Sequence, residues 1–243
     1  MIKGLYTAAV GMLPRITRQE VSANNLANIN TPGYKRDRVF LKALLKVEEG
    51  LSKALSGLQR RETEALYTDF SQGVLQQTHR TLDLAIEGDG FFVISTPRGE
   101  RYTRNGSFSL GPGGLLVTSD GHPVLGEGGP VVLTGSQILI NQRGEVIVDG
   151  EHVDRLLIMD FQHPYRLVKV GSGLFAPEDE MDAGEPAKEA KVRQGYLEGS
   201  NVRAIEEMVE MLLSYRRYEA DHKAIQIQDE TLGKAVNELG TVR

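Results

Sequence analysis

The chain has 243 residues, 40% of them hydrophobic and 25% charged, with a formal net charge of −5 and no cysteine. This is an ordinary globular composition, long enough for one large domain or two smaller ones. The acidic balance leaves no electrostatic footprint for nucleic acid, and the lack of thiols excludes disulfides, thiolate zinc sites and a cysteine nucleophile.

From the N-terminus, Leu5, Ala9, Met12, Ile16, Gln19, Ala23 and Leu26 recur at alternating spacings of four and three. That spacing predicts a helix with a coiled-coil-like period. Pro14 lacks an N–H and crowds the carbonyl of Val10, so a kink is expected there. Lys3 before a short apolar run imitates a signal peptide, but Arg15, Arg18 and Glu20 follow at once and no cleavage box is evident. The segment therefore reads as part of the mature protein, without a cleaved leader. No apolar run approaches the roughly 18 to 20 residues a helix needs to cross a bilayer, so membrane insertion is not expected.

The helix ends in ANNLANINTPGYKR, residues 23–36. Asn24, Asn25, Asn28 and Asn30 are poor helix formers, because their amides compete for nearby backbone groups. Asn24 and Asn28 share a face at i and i+4, where a buried amide can fix the register between packed helices. The alternative is that Asn28 and Asn30 only cap and turn the chain, and for Asn30 that reading is preferred. Pro32 pushes Thr31 out of helical geometry, and Pro32-Gly33 suits the centre of a type II turn ahead of Tyr34.

Residues 34–71 read as an extended or mixed connection, in which KRDRVFLKALLKVEEG has helical character. Residues 72–194 read as a β domain. Runs such as FFVIS at 91–95, ILIN at 138–141, EVIV at 145–148 and RLLIMDF at 155–161 alternate with glycine turns. Asp89-Gly90, Asn105-Gly106, Asp120-Gly121 and Asp149-Gly150 are hairpin cues. The acidic stretch 176–190 is expected as a surface loop.

Residues 195–243 carry the second helical stripe. Met208, Met211, Tyr215, Tyr218, His222, Ile225, Asp229, Leu232, Val236 and Leu239 alternate three and four apart, with Leu212 beside them. No proline interrupts residues 200–239, so the helix could approach 60 Å at about 1.5 Å per residue. Pairing the two stripes is the simplest way to bury both. The fold class expected is α+β: long N- and C-terminal helices paired in a discontinuous coiled-coil-like domain, and a central all-β domain rich in hairpins. The corresponding divisions are 1–33, 34–71, 72–194 and 195–243.

No pattern for catalysis, cofactor or metal stands out. His79, His122, His152, His163 and His222 are scattered, and GDGFF, GPGG and GEGG lack the strand–loop–helix context of a phosphate cradle. Glu178, Asp179, Glu180 and Asp182 lack the spacing of a calcium loop. Glu87 and Asp89 do not suggest a glycosidase pair.

Three collinear segments carry a family resemblance. ANNLANINTPGYKR (23–36) resembles the N-terminal motif of flagellar rod and hook axial proteins. LDLAIEGDGFFVIS (82–95), RYTRNGSFSL (101–110) and GLLVTSDGHPVLG (114–126) resemble their central motif, and GYLEGSNVRAIEEMVEMLLSYRRYEADHKAIQ (195–226) resembles their C-terminal helix. The sequence departs from the family at Pro14 and at SYRRYEADHKA. The phrasing TPRGERYTRNGSF, followed by HPVLGEGGPVVL, and the short chain favour the proximal-rod kind of subunit over the distal-rod kind.

The resemblance implies a non-enzymatic, torque-bearing subunit without cofactors. It also implies export through the flagellar type III apparatus without signal cleavage, and assembly with its own copies and neighbouring rod subunits in the periplasm-spanning basal body. The assembly residues then expected are Leu5, Met12, Ile16, Asn24, Asn25, Leu26, Asn28, Met208, Leu212, Tyr215, Tyr218, Ile225 and Leu232. The motif residues are Thr31, Pro32, Gly33, Tyr34, Gly88, Asp89, Gly90, Phe91 and Phe92. A secreted carbohydrate-active β-domain enzyme is the alternative from another class.

Overall fold

The computed structural model describes residues 2–44, 61–179 and 184–240, with side chains left out of the description at residues 2–14, 40–44, 61–65, Leu232 and 235–240. The chain divides into two compact units. A helical unit holds Met1–Ala27, Arg36–Asp69 and Arg203–Arg243, and a β unit holds Asn28–Lys35 and Phe70–Val202.

In the helical unit, α1 (Ile2–Ala27) continues through Pro14, and α2 (Ala204–Gly240) is the longer helix. Glu206 and Glu207 sit in the first turn of α2, where carboxylates complement the helix dipole. Between the helices in sequence, β1 (Asp37–Leu44) and β2 (Arg61–Thr68) form an antiparallel two-stranded ribbon. The helical character expected after residue 34 is thus overridden. Val39, Leu41 and Ala43 alternate with Arg38, Phe40 and Lys42, a period of two that suits a ribbon. The expectations for residues 45–60 lie outside the described residues.

The β unit is built on β3 (Leu75–Gln77), β4 (Leu84–Glu87), β5 (Phe91–Thr96) and β6 (Gly99–Thr103). β5 and β6 lie inside a six-stranded antiparallel sheet, whose order is Leu167–Gly171, Leu174–Pro177, β6, β5, Ile158–Asp160, Glu185–Pro186. Alternation along β5 serves two cores. Phe92 and Ile94 join Leu84, Ile86 and Phe108 in one cluster, and Phe91 and Val93 join Tyr102, Phe161 and Phe175 in the other. Asp149-Gly150 is a true hairpin turn with φ of 54° and 90°, joining Glu145–Val148 to Glu151–Arg155. Asp89-Gly90 joins no hairpin, because β4 pairs instead with Lys191–Gln194. β3 likewise pairs with Tyr196–Glu198, so the last strands of the unit close on its first.

The expected fold class needs correction. Among the described residues there are nineteen strands and two α-helices, so the protein is β-rich. Nor do the helices close the apolar coiled-coil seam that was expected. The least exposed positions of α2 are Glu207, Met211, Ser214, Tyr218, Asp221, Ile225 and Gln228, a stripe dominated by polar side chains. Met211, Tyr218 and Ile225 are seven apart and belong to both stripes. Their partners could therefore be Met208, Tyr215 and His222 or Glu207, Ser214 and Asp221, and the structure uses the second set. Arg15 of α1 supplies a reason, since its guanidinium pairs with Asp221 and donates to the carbonyl of Arg217.

Candidate assembly interface

The burial pattern of the helical unit is inverted. Among its described side chains the buried ones are Ser22, Asn25, Glu207 and Ser214, all polar, and every described hydrophobic side chain that is buried lies in the β unit. Ile205 is 78% exposed, Met208 51%, Leu212 50% and Tyr215 51%, with Val209 and Leu213 also exposed. At 100° per residue, Ile205, Val209 and Leu212 fall on the side of α2 opposite its polar stripe, with Met208 and Tyr215 on the flank between. Beyond Tyr215 that side turns charged, with Arg216, Glu219 and Lys223. Tyr218 and Ile225 are half-buried, and Ile16 of α1 is exposed. Leu5 and Met12 lie on α1 and Leu232 on α2, with side chains outside the described set.

The asparagines separate by role. Asn25 is 1% exposed and uses both ends of its amide on β1: Nδ2 donates to the Asp37 carbonyl at 2.8 Å and Oδ1 accepts the Asp37 N–H at 2.9 Å. This pairing anchors the end of α1 to the ribbon. Asn28 accepts from the Thr31 N–H and Oγ1, so it turns the chain, while Asn24 and Asn30 are exposed and Leu26 is half-buried. Sequence spacing favoured Asn24 and Asn28 as the register-fixing pair. Asn25 stood out less because its partner is a strand that had not been placed.

The motif residues converge within the β unit. The Tyr34 N–H donates to the Thr31 carbonyl across Pro32-Gly33, and Gly33 has φ of +69°. A Cβ on Gly33 would also stand 2.3 Å from the Asn105 backbone nitrogen, so glycine is required twice over. The next residue but one, Lys35, is 1% exposed, and its Nζ donates to Glu198 Oε1 at 2.6 Å and to the Ser71 carbonyl at 2.8 Å. Glu198 is wholly buried. Its Oε1 also accepts the Gly73 N–H, and its Oε2 lies 3.5 Å from Arg104 Nη1. Arg104 Nη1 donates in turn to the Gly88 carbonyl and its guanidinium lies over the Phe91 ring, which ties the Gly88-Asp89-Gly90-Phe91-Phe92 motif to the same carboxylate. Lys169 closes the other side, lying over the Tyr34 ring and donating to the Lys35 carbonyl.

Composition gave no hint of the Lys35–Glu198 pair, because its members are 163 residues apart. Their presence in two motifs at opposite ends of the chain was the available signal.

Glu87 is bonded to Arg193 at 2.6 Å, and this bond holds its carboxyl below the usual range, the opposite of what a general acid needs. No cluster of three His, Cys, Asp or Glu with metal-holding geometry occurs among the described residues. No described helix is long and apolar enough to cross a membrane.

The chain joins a β-rich body with glycine-turned motifs to a helix, α2, that exposes apolar side chains. Residues 5–35 match the flagella basal body rod protein family, residues 85–148 the flagellar hook protein FlgE/F/G D1 domain, and residues 193–238 the flagellar basal body rod FlgEFG protein C-terminal family. Flagellar basal-body rod protein FlgG of Borreliella burgdorferi is 37% identical, with 98% of each chain covered. Flagellar basal-body rod protein FlgF of Salmonella typhimurium is 37% identical over 97% of each, and FlgG of Bacillus subtilis 33% identical over 98% of this chain and 99% of its own. The chain belongs to the flagellar basal-body rod protein family.

Proposed function

We propose that this protein is a structural subunit of the proximal flagellar rod. In this reading it assembles with copies of itself and neighbouring rod subunits through the outward face of α2 and transmits torque. The observation that carries the assembly is the inverted burial of the helical unit. Polar residues lie inside while Ile205, Met208, Val209, Leu212 and Tyr215 face solvent, an arrangement stabilised when a partner covers them. The chain is exported through the flagellar type III apparatus without signal cleavage, works in the periplasm-spanning basal body and performs no catalysis.

Leu212→Asp tests the assembly. Export and melting of the isolated protein should be normal, with loss of incorporation into basal bodies and of swimming. Normal swimming would overturn the reading. The proximal position is supported by the phrasing of residues 96–133 and by the FlgF relative of Salmonella. The distal position is favoured by the FlgG relative of Borreliella at the same identity. Complementation decides between them: the gene should restore motility to a strain lacking its FlgF-type subunit and not to one lacking its FlgG-type subunit.

A further inference from the structure

The chain enters the β unit at Asn28, leaves it after Lys35, returns at Phe70 and leaves finally after Val202. Any tension between the two ends of the chain therefore reaches this unit through residues 28–35 on one side and residues 198–202 on the other. These two segments are bonded directly. The Gly33 N–H donates to the Glu198 carbonyl at 2.7 Å, the Asn201 N–H donates to the Tyr34 carbonyl, and Lys35 Nζ meets Glu198 Oε1 in the buried pair. Asn201 Nδ2 also donates to the Ser71 carbonyl, the acceptor that Lys35 shares.

The direction of these contacts matters. Gly33 and Tyr34 meet Glu198 and Asn201 in the same chain order, so the segments run parallel there. Pulling on Asn28 and Val202 loads opposite ends of a parallel pair, and its bonds must fail together in shear. Behind it the geometry is weaker. β3 pairs antiparallel with Tyr196–Glu198, with Leu75 opposite Glu198, and β4 pairs antiparallel with Lys191–Gln194, with Leu84 opposite Gln194. The bonds of an antiparallel ladder lie perpendicular to the strands, so tension applied at one end opens them pair by pair.

We infer that Lys35, Glu198 and the backbone bonds around them form a mechanical clamp that bears end-to-end load and shields everything between residues 35 and 198. The buried ion pair suits this role. It is directional and dry, and breaking it strands charge in the interior, whereas apolar contacts can slide. The clamp adds to the torque-bearing reading and is tested apart from it. Pulling reads a single isolated chain, incorporation reads assembly, and either can fail alone.

The experiment is force spectroscopy on the full chain with handles at both termini. After early low-force events from the helices, the wild type should show one dominant release of the segment between Lys35 and Glu198, which stand 163 positions apart, about 550 Å at full extension. The double variant Lys35→Met/Glu198→Leu replaces the pair by apolar groups and leaves Arg104 its bond to the Gly88 carbonyl, so it should be less stable but stay folded, losing the high-force release and yielding at lower force. Glu87→Gln, which breaks only the surface pair with Arg193, should leave the release unchanged. An unchanged rupture force in the folded double variant would overturn the clamp. So would a wild type that releases shorter pieces of 35–198 first, a result that needs no variant to fold.

Discussion

The β unit and the helical unit use their apolar residues in opposite ways. In the β unit Phe91, Phe92, Leu84, Ile86 and Phe175 are essentially inaccessible, and the one buried carboxylate at the motif crossing is met by two cations. Among the described side chains of the helical unit Asn25, Ser22, Glu207 and Ser214 are buried, Met211, Tyr218 and Ile225 are half-buried, and Ile205, Met208, Val209, Leu212 and Tyr215 of α2 are exposed. A domain of the first kind is stabilised by its own core; one of the second kind gains most of its burial from neighbours. The chain thus joins a body with its own core to one that exposes apolar side chains, the division that the proposed assembly calls for.

Mutations should divide along the same line. Phe92→Ala, which removes a ring packed edge-on against Phe108 at 5.3 Å, should cost about 3–5 kcal/mol and lower the melting temperature of the isolated chain sharply. Glu198→Ala leaves Lys35 and Arg104 buried without their carboxylate, and about 3–5 kcal/mol of destabilisation is expected in the same melt. Gly33→Ala forces a side chain into a positive-φ turn with no room for it and should cost about 1–3 kcal/mol.

Leu212→Asp, by contrast, should move the melt of the isolated chain by no more than about 0.5 kcal/mol, because the side chain is already half in water. A large loss of stability there would make the helical unit a self-sufficient core and break the comparison.

The smallest effect concerns pH. Hydrogen bonds from Arg203, and then from Arg36, hold the Glu206 carboxyl below its usual range. A depressed folded pKa gives stability that is present above the unfolded value of about 4.3 and is lost as pH falls through the folded value. Hydrogen exchange in the first turns of α2 should therefore be flat between about pH 5 and 8 after correction for intrinsic rates, and should rise only below about pH 4.

Much of this division was legible in the sequence. Strands at FFVIS, ILIN and EVIV follow from alternation and β-branched content, and α1 and α2 follow from their periodicity. The face of α2 was not legible, because Met211, Tyr218 and Ile225 satisfy two stripes, and the ion pair of Arg15 with Asp221, distant in sequence, favours the second. Residues 37–44 read as part of a mixed connection with helical character, because Leu, Lys and Ala favour helix in isolation; pairing with Arg61–Thr68 makes them a strand. The clamp was invisible for a topological reason, since no local pattern reports a contact between the first and last motifs.

The central claim is that the outward face of α2 is open in the free subunit and covered in the rod. The chain has no cysteine of its own, so Leu212→Cys places one reporter thiol on that face. A maleimide probe should label it rapidly in the isolated protein and fail to label it in purified basal bodies of a motile strain. Labelling in both states, or protection already in the isolated protein, would contradict the account.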